Sequence, residues 1–300
     1  MSSRANAVKS TSSRIIIGGS NAGSIGPKIA RACKISYSPL IVKKFPDGEL
    51  YVRFRADVSG KTVILVQSMH PNPNDSLIET VLAIRTAQEL GAKKTILVAP
   101  YLGYLRQDKR FNPGECVSNK IIADLLSCAD LVITVDPHLH RIQSLDDIFE
   151  KQTLALSANA DIAQWILKNK PGAIILGPDS ESFQWADVIA KQTGLQSVVL
   201  HKKRYSSRNI RTQLSEDIDF RGKDIVIVDD IISTGHTMIE PIKQLKQKKV
   251  KSITCICVHG LFVEGAIEKL RALKVTVIAT NTIDSKASAI NLATLIAHNL

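Results

Sequence analysis

The stretch Asp224-Ile-Val-Ile-Val228-Asp229-Asp230-Ile-Ile-Ser233-Thr234-Gly235-His236-Thr237-Met238 decides how this chain of 300 residues folds. Ile225 to Val228 form a continuous β-branched apolar run, the pattern of a strand buried on both faces of a parallel sheet. Two carboxylates, Asp229 and Asp230, follow it. A small, hydroxyl-rich turn then opens a helical pattern. Strand, short turn and helix in that order are the start of a βαβ unit. In an open α/β sheet, ligands bind beyond the carboxyl ends of the strands. The free N–H groups at a helix start suit a phosphate. Ser233, Thr234 and Thr237 add hydroxyl donors. The paired carboxylates can accept hydrogen bonds from vicinal sugar hydroxyls, or hold Mg²⁺ through water.

The same rhythm extends in both directions. Upstream, strands are expected at 14–18 (RIIIG), 61–67 (KTVILVQ), 95–99 and 131–135, with helices at Asn21–Cys33 and Asp75–Leu90. Gly91 is placed to stop the second helix. Further strands are expected at 173–177 (AIILG), 197–200 (SVVL), 252–258 (SITCICV) and 275–280 (VTVIAT). Apolar strands separated by helix-length patterns predict an α/β fold with parallel sheets. The halves also resemble each other. Gly60–Val66 matches Gly222–Val228, and Ala92–Val98 lies over Val250–Ile256. This predicts two tandem related domains, each a mainly parallel sheet flanked by helices, at 14–152 and 153–300. The length agrees, at about 150 residues per domain. Residues 1–13 (MSSRANAVKSTSS) are Ser-rich and free of acids, so a disordered tail is expected there.

Composition excludes several classes. With 44% hydrophobic and 22% charged residues the chain is not disordered as a whole. Its longest uncharged apolar stretch, Thr95–Leu105, is about half of the ~20 residues that a spanning helix needs. No secretory leader pattern is present. The five cysteines include no CxxC pair, and Cys255 and Cys257 share one face of a predicted strand. They read as core cysteines in a reducing compartment, so a cytoplasmic location is expected. The net charge is +11. Arg4, Lys9 and Arg14 stand in or beside the tail, and Lys202–Arg211 holds five cations and no acid. A basic excess concentrated in this way fits small anionic substrates. Helix-turn-helix, zinc-finger and RNP signatures are absent, so nucleic acid is not expected as a partner, nor is a membrane.

Five more segments carry reactive residue types. Phe45-Pro46-Asp47-Gly48-Glu49 is a turn signal flanked by acids. Pro100-Tyr101-Leu-Gly-Tyr104-Leu-Arg106-Gln107-Asp108-Lys109-Arg110 follows a buried strand, and Arg106 offers a planar charged fork for phosphate. Val135-Asp136-Pro137-His138 and Gly177-Pro178-Asp179 each end a strand, and Lys202-Lys203-Arg204 opens the basic run.

Taken with the Asp229–Thr237 loop, these segments resemble the ribose-phosphate diphosphokinases (PRPP synthases), over nearly all of residues 14–300 and in consistent order. The loop alone is shared with the type I phosphoribosyltransferases. The resemblance implies that the β,γ-diphosphoryl group of ATP passes to the C1 hydroxyl of ribose 5-phosphate, giving PRPP and AMP. It implies ATP contacts from Phe45, Asp47, Gly48, Glu49, Arg106, Gln107, Asp108 and His138. It implies ribose 5-phosphate contacts from Arg204, Asp229, Asp230, Ser233, Thr234, Gly235, His236 and Thr237. Mg²⁺ would sit near His138 and Asp179, and Lys202 and Arg204 would neutralise the transferred group. A homo-oligomer is implied, with ATP sites close to subunit contacts. The alternatives are a type I phosphoribosyltransferase and a non-catalytic relative. The sequence departs from the pattern at His236, where a glycine is common, and at Ser180–Trp185. Its loop also reads Ser-Thr-Gly rather than the Asp-Thr-Ala-Gly type.

Overall fold

The computed structural model describes residues 13–139, 141–179, 182–199, 201–206, 209–213 and 218–300; for 183, 199, 201–206 and 209–213 it describes the backbone alone. The expected tail therefore lies outside the described residues, apart from Ser13.

The first half runs β1 (Arg14–Gly18), α1 (Ile25–Cys33), β2 (Ser36–Pro39), β3 (Ile41–Lys44), β4 (Leu50–Arg53), β5 (Thr62–Val66), α2 (Pro73–Glu89), β6 (Lys94–Ala99), α3 (Ser118–Leu126), β7 (Leu131–Val135) and β8 (Gln152–Leu156). The second runs α4 (Asn159–Asn169), β9 (Ile174–Gly177), α5 (Phe183–Thr193), β10 (Ser197–Val199), β11 (His201–Ser206), β12 (Asn209–Gln213), β13 (Asp224–Ile232), α6 (His236–Gln247), β14 (Ser252–Gly260), α7 (Ala266–Ala272), β15 (Thr276–Thr280), β16 (Ser288–Ile290) and α8 (Ala293–Ala297). The expected strands appear within a residue or two, except that β13 runs four residues past its predicted end. Helix α1 starts four residues late, because residues 19–24 are used as a loop.

Two six-stranded sheets result, in the orders β2-β1-β5-β6-β7-β8 and β10-β9-β13-β14-β15-β16. Every pairing within them is parallel. Counted along the chain, both orders have the same topology. Each half also inserts an antiparallel hairpin, β3-β4 or β11-β12, between its second and third parallel strands. The repeat extends to backbone detail. Gly60 and Gly222 both adopt φ +68°, and Lys93 N–H donates to Lys61 O as Lys251 N–H does to Lys223 O, each at 2.8 Å.

Alternate residues of each strand serve opposite faces, as the period of two requires. Ile16, Ile64 and Val66 face a central core, while Ile15, Ile17, Val63 and Leu65 face an outer one closed by α2 and α3. In the second sheet Val226 and Val228 join the central core, and Ile225 and Ile227 an outer one with α6 and α7. The central core is common to both halves, with α1, α4, α5 and α8 between the sheets. Cys255 and Cys257 are fully buried and free, and burial pushes the Cys255 thiol up to about 12, as befits core residues. Among the described residues no helix is long and apolar enough to cross a membrane.

Candidate active site

Strand order reverses between β9 and β13, the position at which an open α/β sheet leaves a crevice. Asp179 lies just past β9, and Asp229 and Asp230 lie within β13. The two carboxylates are in the strand rather than beyond it, because pairing with β14 continues to Ile231–His259 and Ile232–Gly260. A cavity of about 270 Å³ opens above them. Asp179, Ser182, Asp229, Asp230 and the turn Ser233–Thr237 line it from the second half; Arg106 and His138 line it from the first.

His138 Nδ1 lies 2.6 Å from Asp230 Oδ2 and joins the halves at the cavity wall. This contact holds the Asp230 carboxyl below its ordinary range despite burial. Asp229 is pushed well above its range, first by burial and then by the Asp230 charge beside it. Asp229 Oδ1 is within 2.8 Å of the Ser182 hydroxyl and accepts the Asp230 N–H at 3.0 Å. Ser182 N–H donates to Asp179 Oδ1 at 2.9 Å. The turn leads into α6, whose first residues His236 and Thr237 line the cavity and whose first turn carries no acidic side chain. Gly235 caps that helix at φ +78°, in the left-handed region that other residues enter at a cost. His236 Nδ1 sits 2.8 Å from Thr234 Oγ1, so the residue that replaces a common glycine is tied to the turn.

Acidic groups that suit sugar hydroxyls thus stand next to a helix start that suits a phosphate. Two family models fit this division: one described as the N-terminal domain of ribose phosphate pyrophosphokinase matches residues 14–129, and one described as a phosphoribosyl transferase domain matches residues 146–291. The chain belongs to the ribose-phosphate pyrophosphokinase family. A ribose-phosphate pyrophosphokinase from Methanothermobacter thermautotrophicus is 36% identical over 94% of this chain and 98% of its own length. One from Methanobrevibacter smithii is 32% identical over 95% and 99%. The crystal structure of phosphoribosylpyrophosphate synthetase from Mycobacterium smegmatis has the same fold, with a TM-score of 0.82 at 24% identity over 95% of this chain and 97% of that one.

The other residues picked out by the family motifs fall in three places. Phe45–Glu49 forms the tip of the β3-β4 hairpin, where Gly48 adopts φ +99° and Phe45 is 49% exposed, away from the cavity lining. The Asp108 side chain is 4% exposed and receives Arg141 Nη1 at 2.9 and 3.1 Å, so it braces the loop that carries Arg106 and half-buried Gln107. Lys202 and Arg204 lie on β11, and the roles expected of their side chains fall outside the described residues. Ser182, Arg141 and His259 were not picked out from the sequence. Only Ser182 had a signal there, as part of the departure at Ser180–Trp185.

The donor set suits a hard cation, since Asp179, Asp229 and Asp230 bring oxygen ligands to one cavity. Among the described residues no three His, Cys, Asp or Glu side chains converge as a metal cage. A Mg²⁺ ion here would therefore take one or two protein groups and complete its shell with water and phosphate oxygens.

Proposed function

We propose that this chain transfers the β,γ-diphosphoryl group of ATP to the C1 hydroxyl of ribose 5-phosphate. The C1 oxygen bonds to the β-phosphorus, the α–β bridging bond breaks, and AMP leaves with the bridging oxygen while the hydroxyl proton is released. The observation that carries this reading is the joint lining of one cavity by Arg106 and His138 from one half and by Asp229, Asp230 and Ser233–Thr237 from the other. A phosphoribosyltransferase acting on a base would have no use for Arg106 and His138 in that wall.

In this reading the N–H groups and hydroxyls of Ser233–Thr237 hold the 5-phosphate. Asp229 and Asp230 accept from the ribose hydroxyls, with Ser182 fixing the Asp229 carboxylate. Arg106 and Gln107 hold ATP phosphates, and Lys202 and Arg204 neutralise the group in flight. Mg²⁺ near His138 and Asp179 would offset the charge of the nucleotide phosphates. The protein's share of the catalysis is positioning and charge stabilisation. Phe45–Glu49 is out of reach of its own cavity, which supports a homo-oligomer in which the hairpin completes the nucleotide site of another copy. We assign residues 14–152 to ATP and 153–300 to the sugar phosphate, and the cytoplasm as the location.

Incubation with Mg-ATP and ribose 5-phosphate should yield AMP and PRPP in equal amounts; no AMP across a range of metal and phosphate concentrations overturns the reading. Lys202→Ala should lower kcat far more than it weakens ribose 5-phosphate binding, and unchanged turnover removes that role.

A further inference from the structure

His259 lies in β14 behind the cavity, is 1% exposed and is absent from the cavity lining. Its Nε2 is 3.0 Å from Val135 O and 3.2 Å from Asp136 O. Carbonyl oxygens only accept, so Nε2 carries the proton and is shared between them. Nδ1 is then an acceptor, 3.0 Å from the Thr282 hydroxyl. That hydroxyl also lies 3.0 Å from Val258 O, which receives Thr280 Oγ1 at 2.7 Å, and 3.2 Å from Thr280 Oγ1. Thr282 is itself anchored, since its carbonyl accepts Ser68 Oγ from the first half. The ring packs on Tyr101, with centroids 4.9 Å apart.

The two carbonyls that His259 holds end β7, where the chain turns into Pro137 and His138. Asp136 adopts φ +34° at that turn, a left-handed conformation that a non-glycine residue keeps only where its surroundings impose it. On the other side, the β13-β14 register sets His259 opposite Ile231, the residue after Asp230. One buried imidazole therefore touches the backbone that aims His138 and belongs to the strand that flanks Asp230.

We propose that His259 is a positioning residue that clamps the end of β7 and so holds His138 against Asp230 across the two halves. The catalytic part of this inference rests on the proposed diphosphoryl transfer. In His259→Phe, which keeps a ring but loses the donor, kcat of the folded enzyme should fall ~10- to 100-fold, the scale of a misplacement of about an ångström. His259→Gln, whose amide can reach the same carbonyls, should recover most of it. Loss of folding stability with unchanged kcat in both variants would reduce His259 to a packing residue and overturn the proposal. A crystal structure of His259→Phe gives a readout that does not depend on the reaction: His138 Nδ1 should move beyond hydrogen-bond reach of Asp230, and a retained 2.6 Å contact overturns the clamp. The wild-type assay for AMP tests the diphosphoryl-transfer reading alone. If His259→Phe does not fold, Thr282→Val frees Nδ1 and should displace the same pair and lower kcat by a smaller factor; an undisturbed pair with unchanged kcat overturns the proposal there too.

Discussion

The two halves have the same topology and the same switch point, but one crevice is open and the other is filled. In the second half Asp179, Asp229 and Asp230 surround an open cavity. The strand registers put Ser20, Gln67 and Ser68 at the corresponding places of the first half. There the crevice is filled. Glu79 of α2, 2% exposed, receives the Ser20 N–H at 2.8 Å and the Ser20 hydroxyl, Gln67 accepts the Asn21 N–H, and Ser68 reaches Thr282 of the other half. The turns differ as well. Ser233–Thr237 offers N–H and hydroxyl donors, whereas His70-Pro71-Asn72-Pro73 has two residues without an N–H. A repeated scaffold kept one crevice for a ligand and sealed the other with its own hydrogen bonds. Sealing required a buried carboxyl, which persists because every oxygen is served.

The comparison can be broken from either side. Asp229→Asn, in the open crevice, should leave the fold intact and lower kcat/KM for ribose 5-phosphate by ~10²- to 10³-fold, as read by AMP release. A smaller loss would show that Asp229 is not a principal ligand. Glu79→Ala, in the sealed crevice, should do the reverse. Unfolding in urea should show a loss of about 2–4 kcal/mol, since Ser20 and Gln67 lose a buried partner, while kcat of the folded molecules stays the same. Gly235→Ala should cost about 1–2 kcal/mol of stability through its positive φ and raise KM for ribose 5-phosphate by several-fold. The smallest effect is in pH. Burial raises the Glu79 carboxyl above its ordinary 4.5. The folded state therefore binds its proton more readily than the unfolded chain, and this group's contribution to stability falls as pH rises from 4.5 through the raised value. Glu79→Gln should flatten that arm of the stability curve; an unaltered pH dependence would mean that Glu79 binds its proton equally well in the folded and unfolded chain.

The fold was legible because β-branched runs and turn glycines act locally, and Ile15–Ile17 or Val226–Val228 specify buried strands without outside help. The open crevice was legible for a related reason, since its carboxylates and hydroxyls are consecutive in the chain. The sealed one was not. Glu79 sits in a helical pattern where an acid ordinarily faces water, and only the third dimension brings Ser20 and Gln67 to it. His259 was hidden likewise, as one polar residue ending a strand whose partners are carbonyls more than a hundred positions away. The basic excess was only partly traced. Lys243, Lys246, Lys248, Lys249 and Lys251 form a further exposed group at the far end of α6, which the reading of the tail and the 202–211 run did not include.

The shared central core has a consequence for how the molecule comes together. Helix α8, the last element, packs on α1, the first helix, and Leu292 and Ile296 complete a cluster that begins with Ile16. The first half thus keeps part of its apolar surface in water until residues near 296 are available. It should collapse early but reach native packing late, after synthesis of the second half. With one apolar core shared between them, the halves should melt in a single calorimetric transition.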